Sequence, residues 1–133
     1  MCIRDSPITT DLARMADYHI RLRPGTNVAV LNMMLYFIVK SKLYKEDFIL
    51  SRTEGFEDFI KKIEKLDVDQ LAKVAGVDKH QVKEAAIAYA TAKNSMEFHG
   101  LGVTEQEQGS KTVMLIADLA TVSYTHLPLP TKA

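Results

Sequence analysis

The run Val28–Leu43 is apolar almost all the way round at helical pitch. Val28, Val30, Leu31, Met33, Met34, Leu35, Phe37, Ile38 and Val39 leave no wide polar face. A helix of that kind is buried on most sides, so most of its surface has to be covered by the rest of the chain. It is too short, and too polar at Lys40 and Lys42, to suggest a membrane span. Thr26 or Asn27 is a good N-cap for it. The Met33–Met34 pair reads as core packing and not as a recognition surface.

Around this helix the chain reads as alternating short elements. Leu12, Met15 and Ala16 fall at helical spacing within Asp11–Asp17. Tyr18–Leu22 alternates as a strand with Tyr18, Ile20 and Leu22 on one face, and Arg23–Asn27 stops it, because Pro24 cannot serve a central ladder and Gly25 allows a turn. Lys45–Arg52 is a second helix, broken at Gly55. Phe56, Phe59, Ile60 and Ile63 are the inner stripe of a third, with Lys61, Lys62, Glu64 and Lys65 as its solvated face. Asp67 with Gln70, and Asp78 with Gln81, read as capping pairs opening helices over Val68–Ala75 and Lys79–Lys93. Val82, Ala85, Ala86 and Tyr89 form the buried stripe of the latter. Ser95–His99 reads as a short strand. Gly100–Gly109 is a glycine loop, and Ser110–Ala120 a final helix with Val113, Leu115, Ile116, Leu119 and Ala120 inward.

That order predicts an α/β fold: a helix-rich piece of a Rossmann-like, parallel-sheet cofactor-binding domain. Each strand hands over through a polar or glycine-bearing turn to a helix N-terminus. In such sheets ligands collect at the carboxyl ends of the strands. The two places to look for a site are therefore Pro24–Asn27 and Gly100–Glu105. Two strands alone do not make a stable sheet, which argues that further strands lie beyond the ends.

The ends carry a pattern of their own. In codons, Met1 to Asp5 can be ATG TGT ATA AGA GAC, with AG opening Ser6. The reverse complement, CT GTC TCT TAT ACA CAT, completes a Thr codon and then spells Val122 to His126. One nucleotide element read in opposite directions thus explains both ends, and it resembles a transposase-adapter end used in sequencing libraries. Residues 1–6 and 121–133 are accordingly read as adapter-derived and 7–120 as a partial domain. Cys2 goes with the first, and no metal-ligand spacing remains. Removing Arg4, Asp5 and Lys132 from 17 Lys+Arg and 17 Asp+Glu leaves a net charge of −1. Nothing in that balance suggests a nucleic-acid or anionic-membrane surface.

The turns carry a resemblance. Ala16–Asp17, the following strand, Pro24-Gly25-Thr26-Asn27 and the helix after it resemble the molybdopterin oxidoreductase family. Leu43–Ile49, Arg52–Glu57, Gly100–Glu105 and the later Gly109 resemble the formate dehydrogenase catalytic subunits within it. The resemblance covers essentially all of 7–120, in order. It implies an oxidoreductase holding two molybdopterin guanine dinucleotides around molybdenum or tungsten. Gly25, Thr26 and Asn27 would hold the guanosine end of one dinucleotide, while Leu101, Gly102 and Glu105 would lie against its pterin part. Gly25 lets backbone approach, Gly100 and Gly102 make room for a flat ring system, and N–H groups near Thr104 can meet polar edges. Asn27 stands where the wider family often has Asp, and Glu105 where many members have Gln. A carboxylate near a phosphate-bearing cofactor costs free energy unless protonated or paired.

The resemblance also implies formate as the small-molecule substrate, an iron–sulfur cluster elsewhere in the protein, electron-transfer subunits as partners, and a cytoplasmic setting without direct membrane insertion. The family's catalytic Cys or selenocysteine, its neighbouring His, its substrate-side Arg and the cluster cysteines do not occur in 7–120. No catalytic residue and no metal ligand is therefore assigned. A nitrate or sulfur-compound reductase, or a non-catalytic relative in respiratory NADH dehydrogenase, would share the same turns. His19 reads as a packed or edge histidine, and His80 as an exposed residue in a helix first turn. His99 is either a cofactor contact or a strand-end side chain. A separate pattern, Gln70–Val82, resembles a repressor helix-turn-helix. Its second helix offers Glu84 and alanines where a reader of bases needs Arg, Gln, Asn or Ser, and the domain is not basic.

Overall fold

The computed structural model describes residues 1–123. Its elements are β1 (Ile3–Asp5), α1 (Asp11–Met15), β2 (Tyr18–Ile20), α2 (Asn27–Lys40), α3 (Glu46–Arg52), α4 (Phe56–Glu64), α5 (Val68–Ala75), α6 (Lys79–Thr91), α7 (Leu101–Thr104) and α8 (Gly109–Ser123). The expected adapter-derived stretch 121–133 lies mostly outside the described residues, and Thr121–Ser123 end α8.

The apolar helix α2 is the centre. Met33, Leu35 and Ile38 are fully enclosed, and α4, α5, α6 and α8 all pack against it. Its hydrophobicity is spent on four neighbours rather than one, as an all-round apolar surface requires. The α6 stripe Val82, Ala85, Ala86 and Tyr89 is buried as expected. Ala90 is buried as well, so three of the four alanines of α6 lie where helices crowd together. In α8 only Leu119 of the expected face is buried, and Thr112 and Val122 join it. The Thr112 hydroxyl is affordable there because it donates to the Gln108 carbonyl at 2.9 Å.

Side-chain caps open α5 and α6. Asp67 accepts from the Gln70 amide at 3.0 Å, as the sequence suggests. Asp78 accepts from the His80 amide at 2.9 Å and not from Gln81, one position earlier than expected. Thr26 precedes α2 but does not cap it with its side chain. Its hydroxyl donates back to the Arg23 carbonyl at 2.7 Å, tightening the turn instead.

The sheet is parallel and has two strands, pairing Ile3 with Tyr18, Arg4 with His19 and Asp5 with Ile20. Parallel pairing agrees with the expectation, but the partner does not. The stretch read as adapter-derived supplies β1, while the expected strand at Ser95–His99 is irregular backbone. The reason lies in its side chains. The Ser95 hydroxyl donates to the Tyr89 carbonyl at 3.0 Å, and the Tyr89 hydroxyl donates to the Glu97 carboxylate. These bonds dock the segment on the end of α6 instead of on a neighbouring strand. Burial raises the Glu97 carboxyl above the usual glutamate range, against the opposing effect of the Tyr89 hydrogen bond. The β2 ladder also ends early: Leu22 is buried on the expected face, but its N–H turns back to the Ile20 carbonyl at 3.1 Å.

A cleft between two glycine-bearing turns

The turn after β2 and the loop before α8 meet in one cleft of about 370 Å³. Its walls include Arg23, Pro24, Gly25 and Asn27 from the first, and Phe98, His99, Gly100, Gly102, Val103 and Gln106 from the second. Arg4, Asp5, Ser6 and Pro7 complete it beside β1. The volume accommodates part of a dinucleotide.

Three of the wall residues are glycines with open space above them. A Cβ added at Gly25, Gly100 or Gly102 would meet nothing within 4 Å. Each therefore leaves bare backbone facing a void that no side chain among the described residues fills. Gly25 has φ +80°, a conformation that side-chain-bearing residues rarely adopt. It bends the chain so that α2 starts at the cleft, with Asn27 on the wall. The first N–H groups of a helix lack intrahelical partners, and the helix dipole adds partial positive charge at that end. A polar or anionic ligand group is therefore favoured there.

The charges near Asn27 are mixed. Burial holds the Asp5 carboxyl above the usual carboxylate range, outweighing the opposing effects of its own backbone amide, the nearby Arg4 and the Asn27 side chain. Arg4 and Arg23 are the cations of the described cleft.

The expected site residues divide into two groups. Gly25, Asn27 and Gly102 share the cleft wall. Thr26 is not on the wall, and its hydroxyl is occupied by the Arg23 carbonyl. Leu101 and Glu105 are exposed and lie off the wall. The cause is α7: one short helical turn, closed by the Glu105 amide on the Leu101 carbonyl at 2.9 Å, directs those two away. Of the histidines, His99 is on the wall. His19 donates from Nε2 to the Ser6 carbonyl at 3.0 Å, and His80 is exposed. Arg23 was not assigned in advance; Val103 lies within the expected Gly100–Glu105 turn, Phe98 and Gln106 flank it, and Phe98 is 85% exposed.

Among the described residues no group of three or more His, Cys, Asp and Glu is placed to hold a metal ion. A second, smaller cavity of about 100 Å³ lies between α3, α4 and α8. Burial beside it raises the Asp118 carboxyl. No helix of the described residues is long and apolar enough to cross a membrane.

No family model matches the chain. It is 40% identical over 114 residues to formate dehydrogenase H of Escherichia coli, a match spanning 86% of this chain and 16% of that protein. It is 34% identical over 117 residues to the F420-dependent formate dehydrogenase 2 subunit alpha of Methanococcus maripaludis, spanning 88% of this chain and 17% of that subunit. The chain thus spans about a sixth of the length of these relatives. Among solved structures, acetylene hydratase from Pelobacter acetylenicus superposes with a TM-score of 0.88 at 25% identity, over 94% of this chain and 17% of that one. The chain is a formate dehydrogenase-like segment of the molybdopterin oxidoreductase family.

Proposed function

We propose that the whole protein is a molybdenum- or tungsten-dependent oxidoreductase acting on formate, and that this segment forms part of the wall around one of its two molybdopterin guanine dinucleotides. The observation that carries the reading is the meeting of Gly25, Gly100 and Gly102 around one cleft at the start of α2. The donor set fits the group. Bare glycine backbone lets a flat ring or a phosphate approach closely, and the start of α2 offers free N–H groups to a phosphate or a guanine edge.

Bound there, the group would supply two-electron chemistry, in which formate yields carbon dioxide, a proton and two electrons. The electrons would pass to an iron–sulfur cluster and to electron-transfer subunits beyond this segment, in a cytoplasmic enzyme. The residues here bind and orient, and hold no proton or reacting atom. A dehydrogenase and a hydratase share the segment. That suits a piece that grips a common cofactor better than one that selects a substrate. We further propose that residues 1–6 and 121–133 are foreign to the protein. Sequencing the source locus outward from 28–120 tests this, and genomic reads matching both ends would refute it.

The discriminating variant is Gly102→Val in the intact protein. Its Cβ meets nothing, so thermal stability stays within the range of a surface substitution, about 0.5 kcal/mol. Molybdenum or tungsten content and guanine nucleotide content per polypeptide both fall several-fold. Gly25→Val lowers the same contents but also loses about 1–2 kcal/mol of stability, because valine is strained at positive φ. Full loading in Gly102→Val sinks the site assignment.

A further inference from the structure

We propose that Arg23 is a positioning residue for the cofactor-binding turn, fixing Gly25–Asn27 to the far end of α5; the inference rests on the cofactor reading above.

Arg23 is the hub of a small hydrogen-bond array. On one side it is fastened to α5. Its backbone N–H donates to the Ala75 carbonyl at 2.9 Å, and its Nη1 donates to the Lys73 and Val74 carbonyls at 3.0 and 3.3 Å. The last carbonyls of a helix have no intrahelical donors, and the dipole makes that end partly negative, so a guanidinium is a matched cap. On the other side the Arg23 carbonyl accepts from the Thr26 N–H at 3.2 Å and from the Thr26 hydroxyl at 2.7 Å. One residue therefore closes the turn through its carbonyl and anchors that turn to α5 through its amide and side chain. The side-chain bonds are exposed and individually modest. Together they set the orientation of a turn that carries a positive-φ glycine and opens α2.

Gly76 makes the anchor possible. It ends α5 at φ +68°, and a Cβ there would stand 2.9 Å from Arg23 Nε and 3.2 Å from Cγ and Cζ. The guanidinium lies where a side chain would otherwise be. Two positions about fifty residues apart in sequence, Arg23 and Gly76, thus act as one device. Neither touches the ligand through the device itself; its effect is to hold the turn.

The test uses the intact enzyme and reads guanine nucleotide and metal per polypeptide on the folded, soluble fraction, with the rate at which the nucleotide is lost on dilution. Thermal melting of the cofactor-depleted form is followed separately. Arg23→Ala is expected to lose the nucleotide roughly tenfold faster, the equivalent of one lost ion-assisted hydrogen bond or slightly less. Arg23→Lys, which keeps the charge but not the fork, falls between the two. Gly76→Ala, which leaves Arg23 in place but displaces its guanidinium, moves the rate in the same direction. Lys73→Ala, which removes an exposed side chain and keeps the carbonyl, leaves it unchanged. Wild-type rates in Arg23→Ala and Gly76→Ala overturn the proposal, even if both melt earlier, because that pattern means stability without positioning. A wild-type enzyme free of guanine nucleotide and of metal overturns the cofactor reading itself, which distinguishes the two failures.

Discussion

Leu35→Ala is expected to lower stability by about 3–5 kcal/mol, read as a shift of the urea unfolding midpoint at unchanged slope. Leu35 is fully enclosed near the middle of α2, and the helices around it come from four separate parts of the chain. The cost of deleting a buried side chain has two parts, the lost transfer free energy and the cavity left behind. The second depends on how far the surroundings can collapse. Here they collapse poorly, because α4, α5, α6 and α8 all pack against α2, in which Met33 and Ile38 are fully buried as well. A domain of this size has only about 5–15 kcal/mol in hand, so the loss is a large share of it. Met114→Ala is the contrast. That side chain is 67% exposed, and its loss should stay within about 0.5 kcal/mol. A Leu35→Ala loss below about 1 kcal/mol would mean that α2 is not the wrapped centre of the fold.

The all-round apolar helix was legible because its pattern leaves a single physical solution. The same holds for α5 and α6, where an acidic cap and an apolar stripe agree with one another, and for α5 a terminal glycine as well. Residue by residue, the misreadings occur where side-chain hydrogen bonds outcompete the ladder. Ser95 and Glu97 lie in a short run with strand-like neighbours, but both are held on Tyr89 at the end of α6. No pattern in Asn94–His99 announces a partner eight residues back. β1 was not expected for a different reason: residues 1–6 were read as adapter-derived and given no place in the fold, yet Ile3–Asp5 pairs with Tyr18–Ile20.

The site was legible as two turns and not as a set of contacts. Gly25, Asn27 and Gly102 were assigned through the family resemblance of the two turns, and all three lie on one cleft wall. Thr26 was misassigned in detail, since a threonine before a helix can cap forward or bond back, and here it bonds back to Arg23. Leu101 and Glu105 were read as an extended loop would present them. One turn of helix rotates them off the wall. Arg23 was invisible because its partners are carbonyls of Lys73 and Val74, a long-range pairing that no local spacing encodes.

Gly109→Ala is expected to be the most damaging of the loop substitutions, for a reason opposite to that of Gly102→Val. Gly109 is buried at the start of α8, and a Cβ there would overlap the Thr104 carbonyl, with the carbon of that group at 2.9 Å. The obstacle is backbone, so no rotamer change relieves it. α8 cannot slide to make room either. The Gly109 amide bonds the Gln106 carbonyl at 2.8 Å, the Thr112 amide and hydroxyl both bond the Gln108 carbonyl, and Leu119 and Val122 further along are buried in the core. The strain must therefore be taken up by α7, whose first residues border the cleft. Overpacking of this kind costs about 2–3 kcal/mol where the surroundings are fixed. Urea unfolding of Gly109→Ala should show that loss, whereas Gly100→Ala, with open space above it, should show almost none. On the proposed cofactor reading, Gly109→Ala in the intact protein should also release guanine nucleotide, because displacing α7 moves Gly100 and Gly102 with it. Parent-like stability in Gly109→Ala would show that α7 and α8 are not in contact through that glycine. The crowding of glycines in this loop then has two separate causes: Gly100 and Gly102 keep the cleft side bare, and Gly109 lets two helices meet closely enough to hold that bare surface in place.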